Sequence, residues 1–278
     1  MCRWLAYYGN RIPLSRLILD PEHSLIAQSR RAAEATFPVN GDGFGVGWYC
    51  EGPQPGVFRD TQPAWNDSNL ASLAAHTHSG MFMAHIRYAT GTPITRTNCH
   101  PFAHQNWLFQ HNGQIGGFDT LRYHLDRAIA PEFYSFRHGS TDSESMFLLA
   151  LTFGLQSDPI GAISRMVSFV EQMRDREGIE EPFRMTIAAG DGTQLFAARH
   201  ASHGLAPSLY HSRGMDALVD VDDATIDLGD NSVIVVSEPV DDSGDHWETV
   251  EPGTIFEVSD RKTVIHPLHI DLDVAVTA

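Results

Sequence analysis

The chain of 278 residues has only three cysteines, Cys2, Cys50 and Cys99, and no two form a Cys-x-x-Cys pair. So sparse and odd a set argues against a disulfide framework and points to free thiols in the cytoplasm. Each Cys must then be explained by packing or by chemistry. Basic residues are also scarce, with 19 Lys plus Arg against 35 Asp plus Glu and a net charge of −16. That argues against non-specific binding of nucleic acid or anionic lipid, which needs basic patches. No apolar run approaches the roughly 20 residues that cross a bilayer. The start, Met1-Cys2-Arg3-Trp4-Leu5-Ala6, has no apolar stretch behind a basic end, so no secretory leader is expected. Repeats and low-complexity segments are absent as well.

What is present is a mixed pattern of elements. Short runs rich in aromatic and β-branched residues, bounded by Gly, Pro or Asp, predict strands. They fall at Arg3 to Tyr8, Gly43 to Cys50, Met81 to Arg87, Trp107 to His111, Arg184 to Ala189 and Gln194 to Ala198. Three more follow at Ser232 to Ser237, Thr254 to Val258 and Thr263 to Pro267. Gly190-Asp191-Gly192 is a hairpin signal. Helical periodicity marks Phe118 to Ala130, Ser143 to Leu155 and Ile160 to Arg176, with Ser68 to His76 as a fourth candidate. Thr141-Asp142-Ser143-Glu144 fits a capping box, in which Thr and Glu satisfy each other's exposed amides. Strands, a helical block, then strands again predict a layered α+β fold. Pro239 to Pro252 reads as a long surface loop, and the whole chain, 1–278, as one domain.

Four segments concentrate reactive chemistry. Removal of Met1 would make Cys2 N-terminal, and its α-amine, with a reference pKa of about 7.7 to 8.0, can take the thiol proton. Asn40-Gly41-Asp42-Gly43-Phe44-Gly45-Val46-Gly47 alternates glycine, which suits either tight strand packing or a close-lying substrate. It lacks the Gly-Lys-Ser/Thr of a phosphate loop. Arg87 ends a strand, in His85-Ile86-Arg87-Tyr88-Ala89-Thr90, and is suited to hold a carboxylate with both arms of its guanidinium. An ordinary salt bridge is its plainer explanation. In His111-Asn112-Gly113, an Asn amide and a Gly N–H can converge on one oxyanion, worth roughly 3 to 4 kcal/mol per donor, although Asn-Gly is first of all a turn.

These motifs, with Asn98-Cys99-His100-Pro101, occur in one order. The series resembles the class II glutamine amidotransferases, whose glutaminase domain belongs to the N-terminal-nucleophile hydrolases. The motifs run from Cys2 to about Gly154. The resemblance implies a four-layer αββα sandwich with Cys2 as nucleophile and Asn112 and Gly113 as oxyanion hole. It also implies Arg87 as clamp for the substrate α-carboxylate, Thr90 and His100 nearby, and Asp142 as partner of the α-ammonium. No metal or organic cofactor is then needed. Met-Cys-Arg, the glycine-rich run and Ser237-Glu238-Pro239 look like the stand-alone branch, which includes the γ-glutamyl amide hydrolase of ergothioneine synthesis. Gly91 stands where larger synthases often carry His, and Asn40 where many carry Arg. The expected substrate is glutamine or another small γ-glutamyl compound, with a separate ammonia-accepting partner or a homo-oligomer as further expectations.

Two rivals stand beside this. His100, His104 and His111 could ligate a metal, making a metal-dependent hydrolase, although Pro101 places His100 in a loop. Alternatively, the fold is a catalytically inactive binding module. Cys50 and Cys99 are expected as packed thiols.

Overall fold

The computed structural model describes residues 2–34, 39–213, 217–219, 225–228, 232–242 and 244–274. In chain order they form strand β1 (Arg3–Pro13), helices α1 (Ser15–Ile18) and α2 (Leu25–Arg30), strands β2 (Phe44–Trp48) and β3 (Gly56–Asp60), and helix α3 (Ser68–His76). Strands β4 (His78–Ile86), β5 (Phe102–His104) and β6 (Trp107–Gln114) lead into helices α4 (Phe118–Arg127), α5 (Pro131–Tyr134), α6 (Asp142–Thr152) and α7 (Pro159–Arg176). Then come β7 (Arg184–Gly190), β8 (Gln194–Ala201), β9 (Tyr210–Ser212), β10 (Ala217–Val219), β11 (Thr225–Asp227) and β12 (Val233–Val236). Strands β13 (Trp247–Thr249), β14 (Thr254–Ser259) and β15 (Lys262–Pro267) finish the described elements.

Two antiparallel sheets dominate. One runs β13-β9-β12-β1-β4-β2-β3 and the other β15-β14-β8-β7-β6-β5, with β10 and β11 forming a separate pair. Side chains alternate across a strand, so a strand buried on both faces feeds two different cores. Leu5 and Tyr7 of β1 pack with Phe82, Ala84, Ile234 and Val236 toward α1, α2 and α3. Their neighbours Trp4 and Ala6 point the other way, joining Met81, Met83, Val233 and Val235 against Leu108, Ala188 and Ala197 of the second sheet. Phe109, Ile187, Ala189 and Phe196 form the outer face of that sheet and pack on α4, α6 and α7. Three apolar seams therefore hold four layers in the order α, β, β, α, as expected.

All nine strands anticipated from composition exist, and the principal helices begin within one residue of the expected positions. The Gly190-Asp191-Gly192 turn closes the β7–β8 hairpin, with Asp191 Oδ1 accepting from the amides of Thr193 and Gln194 at 2.8 Å each. Three expectations need correction. Glu144 does not complete a capping box. Thr141 Oγ1 caps the Glu144 amide at 3.2 Å. The Glu144 carboxylate instead accepts from the amides of His138 and Gly139 and pairs with Arg137. Residues 239–252, apart from Ser243, which lies outside the described residues, are not a loose loop. They carry β13, and Trp247 Nε1 donates to the buried Asp241 at 2.8 Å. Finally, Cys50 is exposed rather than packed, whereas Cys99 is buried as expected.

The alternating glycines of β2 serve close packing. A Cβ on Gly45 would overlap the His100 carbonyl, and one on Gly47 would lie 2.7 Å from Leu108 and 2.8 Å from Pro101. Among the described residues, no helix is long and apolar enough to cross a membrane.

Candidate active site

Cys2 stands immediately before β1, a central strand of its sheet, whose ladder to β4 begins at Arg3 and whose ladder to β12 begins at Leu5. The Tyr88 amide donates to its Sγ at 3.3 Å, and the thiol faces the Tyr88 carbonyl at 3.5 Å. Burial pushes the thiol pKa up; the Tyr88 amide and the charges of Arg87 and Arg3 pull it back only in part. A thiol so placed is protonated at neutral pH and needs a base to become a nucleophile. Met1 lies outside the described residues.

Asn112 and Gly113 come from β6 of the other sheet, where they pair with Thr186 and Met185 of β7. The two sheets are stitched together at this point. Trp4 Nε1 donates to Thr186 Oγ1 at 3.2 Å, that hydroxyl donates to the Asn112 carbonyl at 3.4 Å, and Gln110 Nε2 donates to the Leu5 carbonyl at 2.9 Å. The strand bearing Cys2 is thus fixed relative to the strand bearing Asn112. Gly113 adopts φ +142°, and a Cβ there would overlap the Arg184 carbonyl, so the position requires glycine. Asn112 is buried, and its Nδ2 has no hydrogen-bond partner among the described residues. A buried donor left unpaired is costly in a resting fold, and the Asn112 amide is therefore free to bond another group.

Cys2, Thr90, Asn112 and Gly113 line one cavity of about 450 Å³. Gly116, Gly117, Glu181 and Arg184 complete part of its wall. The sequence reading missed that wall. Its signal was present in Gly116-Gly117, since a Cβ on Gly116 would overlap the Glu181 carbonyl.

Arg87, His100 and Asp142 do not line this cavity. Arg87 is buried behind it, donating to Thr92 Oγ1 at 2.6 Å and to the Asp42 carbonyl at 3.4 Å. Asp42 is held in turn, its Oδ2 accepting the Ala89 amide at 2.8 Å. Asp142 begins α6 and ties it to the end of β6. Its Oδ2 accepts from the Ile115 amide at 2.9 Å and its Oδ1 from the Ser143 amide at 2.8 Å. His100 sits inside, stacked on His85 with ring centroids 4.2 Å apart and edge-on to Phe102 at 4.6 Å. Burial lowers the pKa of His85, His100 and His111, and neighbouring cationic groups push His85 and His100 lower still. His85 Nε2 faces the His111 carbonyl at 3.2 Å, and His111 Nδ1 faces Ser143 Oγ at 2.8 Å.

The histidines of the metal alternative are not assembled. His104 packs edge-on to Phe133 and Phe136, while His111 is engaged with Ser143. Among the described residues, the group of three His, Cys or carboxylate side chains with ligand atoms within 4.8 Å is Glu22, His23 and Asp242, which includes none of them.

Residues 4–269 match the sequence profile of the class II glutamine amidotransferases. The chain therefore belongs to that family and is an amidohydrolase of its class. Its fold is shared with the glutamine phosphoribosylpyrophosphate amidotransferase of B. subtilis, at TM-score 0.64 and 17% identity, covering 97% of this chain and 50% of that one. Among solved structures it is similar to a class II glutamine amidotransferase domain protein from Silicibacter pomeroyi, with 36% identity and TM-score 0.73 over 96% of this chain and 100% of that one. By sequence it is 32% identical to the probable glutamine amidotransferase DUG3 of Saccharomyces cerevisiae, over 96% of this chain and 84% of that protein. It is 28% identical to the γ-glutamyl-hercynylcysteine sulfoxide hydrolase of Mycolicibacterium smegmatis, over 96% of this chain and all, 100%, of that one.

Proposed function

We propose that the protein hydrolyses a γ-glutamyl amide with Cys2, freed of Met1, as nucleophile. The observation that carries this reading is the shared cavity, lined by both Cys2 and Asn112, whose buried Nδ2 is unpaired among the described residues. The Cys2 α-amine takes the thiol proton as Sγ attacks the γ-carbonyl. The resulting oxyanion is held by Asn112 Nδ2 and the Gly113 N–H. The amine then gives its proton to the leaving nitrogen, the C–N bond breaks, and a γ-glutamyl thioester remains. Water, deprotonated by the same amine, attacks that thioester and releases glutamate and the free thiol. Arg87 binds the α-carboxylate, which replaces its bond to Thr92, and Asp142 offsets the α-ammonium. Thr90 lines the way in, and His100 supports the site from within.

One domain, residues 1–278, suffices for this chemistry. The leaving group is ammonia when glutamine is the substrate, passed on to a separate acceptor, or a larger amine. The similarity to a named γ-glutamyl hydrolase supports the second case.

Glutamate release from glutamine and a series of γ-glutamyl peptides tests the reading, with a thiol alkylator and EDTA as separate additions. Activity is expected to vanish with alkylator or in Cys2→Ala and to survive EDTA. An active Cys2→Ala, or loss with EDTA alone, overturns it. No release from any γ-glutamyl compound favours the binding-module alternative.

A further inference from the structure

The proposed chemistry leaves two sequence features without a task, the Arg that follows Cys2 and the Ser237-Glu238-Pro239 segment. The fold brings them together. The Trp4 amide donates to Ser237 Oγ at 3.2 Å, and the Ser237 amide donates to the Trp4 carbonyl at 3.0 Å. One residue further out on each side, Arg3 Nε pairs with Glu238 Oε2 at 2.9 Å, with side chains 0% and 8% exposed. Arg3 Nη1 then donates to the Cys2 carbonyl at 2.9 Å. Glu238 is itself anchored, its Oε1 accepting from the Ala33 amide at 2.8 Å and its Oε2 from the Glu34 amide at 3.0 Å.

A fully buried ion pair is an expensive way to hold a strand. Well-packed apolar residues of similar volume often do as well or better, so its presence calls for a task beyond stability. Its location supplies one. The β1–β4 ladder begins at Arg3, so Cys2 stands beyond the regular pairing. The bond from Arg3 Nη1 extends the constraint by one residue, to the carbonyl next to the Cα that carries both the amine and the thiol arm of Cys2.

We propose that Arg3 and Glu238 are positioning residues, which together fix the Cys2 carbonyl and so aim the α-amine and thiol at the scissile carbonyl. The inference rests on Cys2 being the nucleophile. Glu238 neutralises Arg3 and, through the Ala33 and Glu34 amides, ties its orientation to the segment after α2. The positive charge of Arg3 also favours the thiolate when the proton leaves.

The test uses the full chain without Met1 and the variants Arg3→Gln, Arg3→Lys and Glu238→Gln. Three quantities are read: kcat and KM, the pH midpoint for alkylation of Cys2 by iodoacetamide mapped to its peptide, and the thermal midpoint. In Arg3→Gln and Glu238→Gln, kcat is expected to fall by about tenfold, the worth of one charge-assisted hydrogen bond, with KM unchanged. The alkylation midpoint rises in Arg3→Gln, and Arg3→Lys restores the midpoint better than it restores kcat, because an ammonium keeps the charge and loses the fork. Unchanged kcat, or a kcat loss that tracks the thermal midpoint while the alkylation midpoint stays put, overturns the proposal. Should Arg3→Gln not fold, Glu238→Gln alone decides, since it keeps the shape of the side chain. Alkylation requires no substrate, so an active Cys2→Ala would refute the nucleophile assignment without touching the measured link between Arg3 and the thiol.

Discussion

At the scale of single residues, the site divides into groups that face the cavity and groups that stand behind it. Asn112 lines it and carries a buried donor with no partner among the described residues. Replacing Asn112 with Ala should lower kcat by about 10²–10³-fold with little change in KM, because an oxyanion donor acts only in the transition state. Steady-state kinetics on a γ-glutamyl peptide check this, and a rise in KM at constant kcat would assign Asn112 to ground-state binding. Arg87 stands behind, already engaged with Thr92 and the Asp42 carbonyl. Arg87→Lys should raise KM more than it lowers kcat, since a point charge cannot replace the two-armed guanidinium. An unchanged KM would argue that Arg87 only braces the loop through Thr92.

At the scale of elements, legibility followed burial and length. Strands such as Ser232 to Ser237 and Arg184 to Ala189 are buried on both faces, and their continuous apolar character is plain in the sequence. The short pieces β3, β5, β9 and β13 are only partly buried and carry no continuous apolar run to mark them. Helices α1 and α2, with four and six residues, span too few turns. The candidate site was legible where backbone chemistry demanded a particular residue type, as at Gly113. It was not legible where contact is purely tertiary. Nothing local marks Trp4, Thr186 and Gln110 as the links between sheets, or joins Arg3 to Glu238 across 235 positions. The glycines of β2, for which two readings stood open, serve packing. Gly45→Ala must push on the His100 backbone and should destabilise the fold by about 1–3 kcal/mol, the usual cost of overpacking. Chemical denaturation measures it, and a neutral result would show that the segment around His100 yields freely.

At the scale of the whole molecule, two sheets meet with buried histidines close to the meeting line. Burial lowers His85 to about 3 from its ordinary 6.5, so it stays neutral in the fold. His100 and His111 are lowered for the same first reason. Once unfolded, each takes up a proton near its ordinary value. Below pH 6.5 the unfolded chain therefore binds more protons than the folded one, and stability falls as pH drops toward 3. Above 6.5 both states are neutral at these residues, and they add no pH dependence. The urea midpoint should accordingly fall between about pH 7 and about pH 5, and His85→Gln should flatten that slope. A midpoint independent of pH over this range would mean that the histidines are hydrated in solution.

The central claim is that Cys2, as the first residue of the mature chain, carries the glutamyl group. Acid quenching during turnover of a γ-glutamyl substrate, followed by peptide mass spectrometry, tests it most directly. The account predicts an N-terminal peptide that begins at Cys2 and carries one added glutamyl group, removable by hydroxylamine. A peptide that retains Met1 in active protein, or a glutamyl adduct on Cys50 or Cys99 instead, would contradict it.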